Sequence, residues 1–156
     1  MKRLTRLIFI VLGLIALASA PARADTEVGS VTGAGEGLFE AGATFGGVNL
    51  DSINVGIGLF IDPNGSATGV FHAVLVGHSL LGQSQIAVEG QVSGGGLGPF
   101  GHATFRGVAT VDLGNGAPPL PGVPFSVTVT GGSLVLALES TTLSPAGMSA
   151  DSITIE

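Results

Sequence analysis

Residues 53–66, INVGIGLFIDPNGS, decide the fold that the sequence predicts. Apolar side chains recur at every second position, and a period of two is typical of a β-strand with one buried face. They are Ile53, Val55, Ile57, Leu59 and Ile61. The DPNG that follows favours a tight turn, because proline fixes φ and Asn-Gly accepts positive φ. Since an extended run continues to residue 78, we expect 53–78 to be a β-hairpin.

The same alternation predicts further strands along the chain. They lie at 84–93, 103–113, 123–130, 134–138 and 152–156. Glycine-rich turns and a proline-rich loop at 115–124 separate them. Seven or eight strands, with no helix after residue 24, predict an all-β fold: an antiparallel sandwich or a small up-and-down barrel. A membrane barrel is disfavoured because the chain has no Trp or Tyr for aromatic girdles.

The first 24 residues have the pattern of a signal peptide. Three basic residues precede an apolar run at 7–18, which is shorter than the roughly 20 residues that span a bilayer. Ala22 and Ala24 supply the small-x-small pattern that predicts cleavage before Asp25. An uncleaved N-terminal anchor is the alternative. We therefore expect one secreted or periplasmic domain, 25–156, with no membrane span.

Charge and cysteine content narrow the possible partners. The expected mature chain keeps one basic residue, Arg106, against eleven acids, a net charge of −10. So acidic a domain repels phosphate backbones and anionic lipids, which argues against nucleic-acid binding and polybasic membrane attachment. The chain has no cysteine, so neither disulfides nor a lipoprotein anchor are expected. Sparse charge also leaves sheet edges poorly guarded against pairing with another chain.

Histidines and turn acids are the first candidates for a metal site. His72 and His78 would lie about 20 Å apart along one strand, too far to share a metal, and His102 could join them only through folding. Asp62 and Asp112 stand alone in their turns, so we expect them to cap backbone N–H groups rather than bind calcium. The sequence therefore predicts no metal and no cofactor.

The remaining charged and glycine-rich positions give no catalytic template. Glu89 is expected on the solvent face of its strand without a second carboxylate, so glycoside hydrolysis has no basis. Arg106 is expected to pair with Glu89 or Asp112, or else to meet a carboxylate ligand. Glycine-rich 33–37 and 94–98 precede no helix, which argues against phosphate binding.

Three short runs carry a family resemblance. The runs GSATGVF at 65–71, ATFRGVA at 103–109 and SADSITI at 149–155 resemble a pattern found in secreted bacterial β domains of unassigned activity. The resemblance covers about 53–156, and the cysteines that some of those domains carry are missing here. It implies a β domain with a D-x-x-G hairpin and a final x-I-x-I strand, and it implies no activity.

Two hypotheses for function follow. The first is an exported, non-enzymatic binding or structural module, whose partner is an unknown protein or a second copy of the chain. The alternative is a carrier of a small apolar ligand, because an eight-stranded barrel is wide enough to hold one. Phe60, Phe71 and Phe105 would line that cavity, and Arg106 would meet a carboxylate. A hydrolase or isomerase would need a pocket that gathers titratable residues from several strands.

Overall fold

The computed structural model describes residues 28–156, and their regular structure is entirely β-strand. The strands are β1 (Gly29–Phe39), β2 (Thr44–Phe45), β3 (Val48–Ile61), β4 (Ser66–His78), β5 (Gln85–Gly98), β6 (His102–Asp112), β7 (Leu120–Thr130), β8 (Ser133–Leu138), β9 (Thr141–Thr142), β10 (Ala146–Met148) and β11 (Ile153–Ile155). The predicted signal peptide and its cleavage site lie outside the described residues. Within them, no helix is long and apolar enough to cross a membrane.

Eight of the strands close into a ring. From β3 to β8 each strand pairs antiparallel with the next, β8 pairs with β10, β10 with β1, and β1 with β3. Outside the ring, the short strand β2 pairs with β3 and the short strand β9 pairs with β8. β11 pairs with β1 alone. The predicted all-β class is confirmed, and the closed pairing is that of an up-and-down barrel.

The hairpin predicted at 53–78 is confirmed as β3 and β4. Their register runs from Ile61 opposite Ala67 to Asn49 opposite His78. In the turn, the Gly65 N–H donates to the Asp62 carbonyl over 2.9 Å, and Gly65 has a φ of 83°. Only a residue that tolerates the left-handed region can occupy that position, which is why the sequence has glycine there.

Inward-facing side chains fill the ring. Phe71 and Phe105 are fully buried, and their ring centroids lie 5.8 Å apart in an edge-to-face arrangement. Phe125 stacks on Phe71 at 5.5 Å. Val, Ile and Leu from every strand of the ring from β3 to β8 surround these rings. At one mouth Leu97 lies so close to Gly29 that a Cβ there would overlap it. Burial of this apolar surface is the main stabilising contribution.

Two regions differ from the prediction. The proline-rich loop expected at 115–124 is wrong in its second half, because β7 begins at Leu120. Gly122, with a φ of 74°, lies in a register shift between β6 and β7 that accommodates one extra residue in β7. Pro124 accepts a bond from the Glu139 N–H just beyond the end of β8, where its own missing N–H interrupts no ladder. The first strand, β1, was not predicted at all.

Candidate functional site

The four residues predicted to bind a ligand lie on both sides of the sheet. Phe71 and Phe105 face inward and touch each other. Phe60 faces outward, with 63% of its surface exposed. Arg106 also faces outward, opposite Gly94 on β5 and Ser126 on β7. The structure therefore joins two of the four within the packed interior and leaves the other two on the outer surface.

Titratable side chains are dispersed over the outer surface. His72 lies opposite Glu89, which is exposed, as its position in the alternation predicts. His78 Nδ1 lies 3.2 Å from Asp51 Oδ2, and the two side chains are 70% and 64% exposed. Within 28–156 no three His, Asp or Glu side chains are grouped closely enough to hold a metal ion. His78, Asp51 and Glu40 line one open cavity of about 520 Å³, so the described residues bring a single imidazole–carboxylate pair to a pocket, and both of its side chains are largely exposed.

The pairing predicted for Arg106 with Glu89 or Asp112 is wrong. His78 with Asp51 is the single contact within ion-pair distance among the described residues. Glu89 lies opposite Thr110, four positions along β6 from Arg106, which is roughly 13 Å at the rise of a strand. Asp112 is farther still. Strand register separates the charges, and spacing in the sequence could not reveal it.

The turn acids act as expected at one of two turns. Asp112 Oδ1 accepts the Gly114 N–H over 2.9 Å, so capping is confirmed there. In the other turn Asn64 Oδ1 accepts the Ser66 N–H over 2.8 Å, while Asp62 Oδ2 accepts the Ser66 hydroxyl over 2.9 Å. Asp62 therefore accepts a hydrogen bond from a side-chain hydroxyl, and Asn64 accepts the one from the backbone N–H.

The ring has an opening where its last strands meet, which we name the seam window. β8 has six residues, against 11 to 14 in the strands from β3 to β7, and it starts just after the Gly131–Gly132 turn. The short β7–β8 hairpin does not reach as far as β11, and a cavity of about 270 Å³ lies between them. Its lining comprises Gly101, 129–132, 148–153 and Ile155.

One edge of β11 faces the seam window without a partner strand. Ser30 and Glu156 exchange both of their backbone hydrogen bonds, at 2.7 and 3.0 Å. Because bonding alternates along an antiparallel pair, Thr154 bonds Thr32, and the N–H and C=O groups of Ile153 and Ile155 point away from β1. These four groups have no backbone partner among the described residues.

The window thus offers two N–H donors and two C=O acceptors in the spacing of a strand. The side chains of Ile153 and Ile155 are half-buried against the core, and Asp151 lies at the rim. Sequence reasoning identified the final strand but missed its open edge. Strand length was the signal that could have revealed this edge. The strand predicted at 134–138 is too short to pair along the whole length of a neighbouring strand as long as the others.

Function has to be inferred from this geometry. No protein-family model, curated protein or solved structure matches the chain.

Proposed function

We propose that the chain is an exported binding or structural module that contacts its partner through the outer surface of the barrel. The observation that carries this proposal is the packed interior. Phe71, Phe105 and Phe125 occupy the place where a carrier would hold its ligand, and the ring of Phe71 contacts the other two. A small-molecule pocket typically needs roughly 300–1,000 Å³. Opening that much space would separate the three rings and expose core surface to water.

The outer surface has features that suit recognition of another chain. Phe60 and Phe100 are large apolar side chains at 63% and 100% exposure, and the seam window adds an open strand edge. The titratable residues stand singly or in one exposed pair, which favours binding over acid–base catalysis. Export follows from the basic, apolar and small-residue pattern of residues 1–24 and remains part of the proposal.

Site-specific photo-cross-linking tests the proposal. Because the chain has no cysteine, one introduced thiol gives one attachment point for a benzophenone maleimide. We would label Thr130→Cys at the window, Phe60→Cys on β3 and Glu89→Cys on β5, all exposed positions. Irradiation in the envelope of the producing cell is expected to give a discrete protein adduct from at least one position.

Two results would contradict the proposal. The first is the absence of an adduct from all three positions. The second is a small apolar molecule retained one per chain in native mass spectrometry of the purified protein, which would restore the carrier hypothesis.

A further inference from the structure

We infer that the seam window binds an extended segment of a partner protein, which adds to β11 as a further strand and carries Lys or Arg between apolar residues. This inference rests on the proposed function and specifies its site and the chemistry of its partner. Three features carry it: the bonding groups of the edge, the shape of the opening and the charge around it.

The bonding groups of β11 match a strand. Ile153 and Ile155 present their free N–H and C=O groups two residues apart, about 6.8 Å. An extended backbone presents its own donors and acceptors at the same spacing, so it can satisfy all four groups. Unpaired strand edges are the usual place where a peptide adds to a sheet. The edge of β11 has neither Lys nor Pro to block such pairing.

The shape of the opening also favours a strand. At about 270 Å³ it is smaller than most small-molecule pockets, and it lies between the β7–β8 hairpin and β11. Its far rim is the glycine turn at Gly131 and Gly132, where a Cβ at either residue would meet no neighbour within 4 Å. A backbone lying between this rim and β11 would continue the line of β8, which pairs with β10 immediately alongside.

Charge selects the partner. Asp151 lines the window and Glu156 follows Ile155, whereas no basic residue among 28–156 lines it. Across 28–156 one arginine stands against nine acids, a net charge of −8. A second copy would bring the same acids to the same edge, and like charges across an interface are unfavourable. A segment with Lys or Arg complements the rim, so the inference commits to a basic partner segment rather than self-association.

Peptide binding to the unaltered protein provides the first test. The probe is the capped hexapeptide KVTVKV, with EVTVEV as its charge-reversed control and an N-methylated KVTVKV that cannot pair along one edge. KVTVKV is expected to bind at least tenfold more tightly than either control. Hydrogen exchange should then slow at least tenfold at the Ile153 and Ile155 amides, while the Thr154 amide, already bonded to β1, should not change.

A matched pair of variants provides the second test. Ile155→Pro removes a donor on the open edge without removing a bond to β1, and Ile155→Ala controls for the lost side chain. We expect the Kd for KVTVKV to rise by a factor at least five times larger in Ile155→Pro than in Ile155→Ala. Equal losses, equal binding of the three peptides, or unchanged exchange at Ile153 and Ile155 would each overturn the inference.

The two proposals fail in different ways. If the adduct from Thr130→Cys at the window survives in Ile155→Pro, the chain is still a binding module but strand addition at β11 is refuted. If no adduct forms in any background, the module itself is refuted.

Discussion

The wall formed by β3 to β7 and the seam formed by β8, β10 and β11 are made of similar residues but differ in how far their strands pair. β3 and β4 pair from Asn49 to Ile61. At the seam, β8 and β10 pair at two positions and β10 and β1 at three. The ring is therefore continuous around most of its circumference and closed at one place by few bonds. The open edge occurs where pairing is shortest.

Glycine has different reasons for its presence in the two regions. Gly35 and Gly37 of β1 lie next to the seam, beneath the segment that runs through β10 to β11. A Cβ at Gly35 would lie 2.5 Å from Ser152 Cβ. In the wall, Gly56 and Gly58 of β3 have open space around the same position. The seam glycines permit close approach of two segments, whereas packing does not require the wall glycines.

The largest effect is expected from a truncation inside the wall. Phe71→Ala removes a fully buried ring that contacts two others, so the free energy of unfolding should fall by about 3–5 kcal/mol. Phe60→Ala, on the same hairpin but facing outward, should change it by about 0.5 kcal/mol or less. Urea denaturation measures both, and similar losses would mean that the interior is not the main source of stability.

Smaller effects are expected at the two kinds of glycine, and the two substitutions should change the free energy of unfolding in opposite directions. Gly35→Ala should destabilise by about 1–3 kcal/mol, because the methyl group displaces Ser152 and the chain that closes the seam. Gly56→Ala should stabilise by up to about 1 kcal/mol, because it reduces the entropy of the unfolded chain and meets no neighbour. Thermal unfolding distinguishes the signs. Equal shifts would remove the distinction between wall and seam.

The smallest effect is expected at the end of the wall. Asp51→Asn removes the carboxylate that lies 3.2 Å from His78, but exposed pairs of this kind contribute only about 0.2–1 kcal/mol. The free energy of unfolding should therefore change less than it does in Phe71→Ala or Gly35→Ala. A loss comparable to that of Phe71→Ala would show that charge, rather than buried apolar surface, holds this part of the wall.

The strands of the wall, with β8 and β11, could be predicted from the sequence, but the way in which the seam closes the ring could not. Alternation around Ile57 and the turn at Gly65 determine local pairing, and both are visible in the sequence. β1 escaped prediction because glycine occupies most of its inward positions, where an apolar residue would have marked a strand. Its partners lie far away in the chain, so only the folded structure explains those glycines.

The candidate site was less predictable than the fold. Strand parity predicts the outward position of Glu89, but the predicted cavity combines Phe60 with Phe71, although their side chains lie on opposite faces of the sheet. The separation of Arg106 from Glu89 depends on the register between β5 and β6, which includes a shift at Val92 to Gly94. The open edge at Ile153 depends on where a different hairpin ends.

The pairing of β1 with β11 has a consequence for the order of folding. Gly33 meets Ile153 across about 120 positions of the chain, whereas each neighbouring pair in the meander joins through a short turn. Bringing such distant segments together costs roughly 2 kcal/mol more loop entropy than closing a ten-residue hairpin. Hairpins can thus assemble one after another along the chain before the ring closes. Ring closure comes last, and its rate sets how long the growing sheet stays open at both sides.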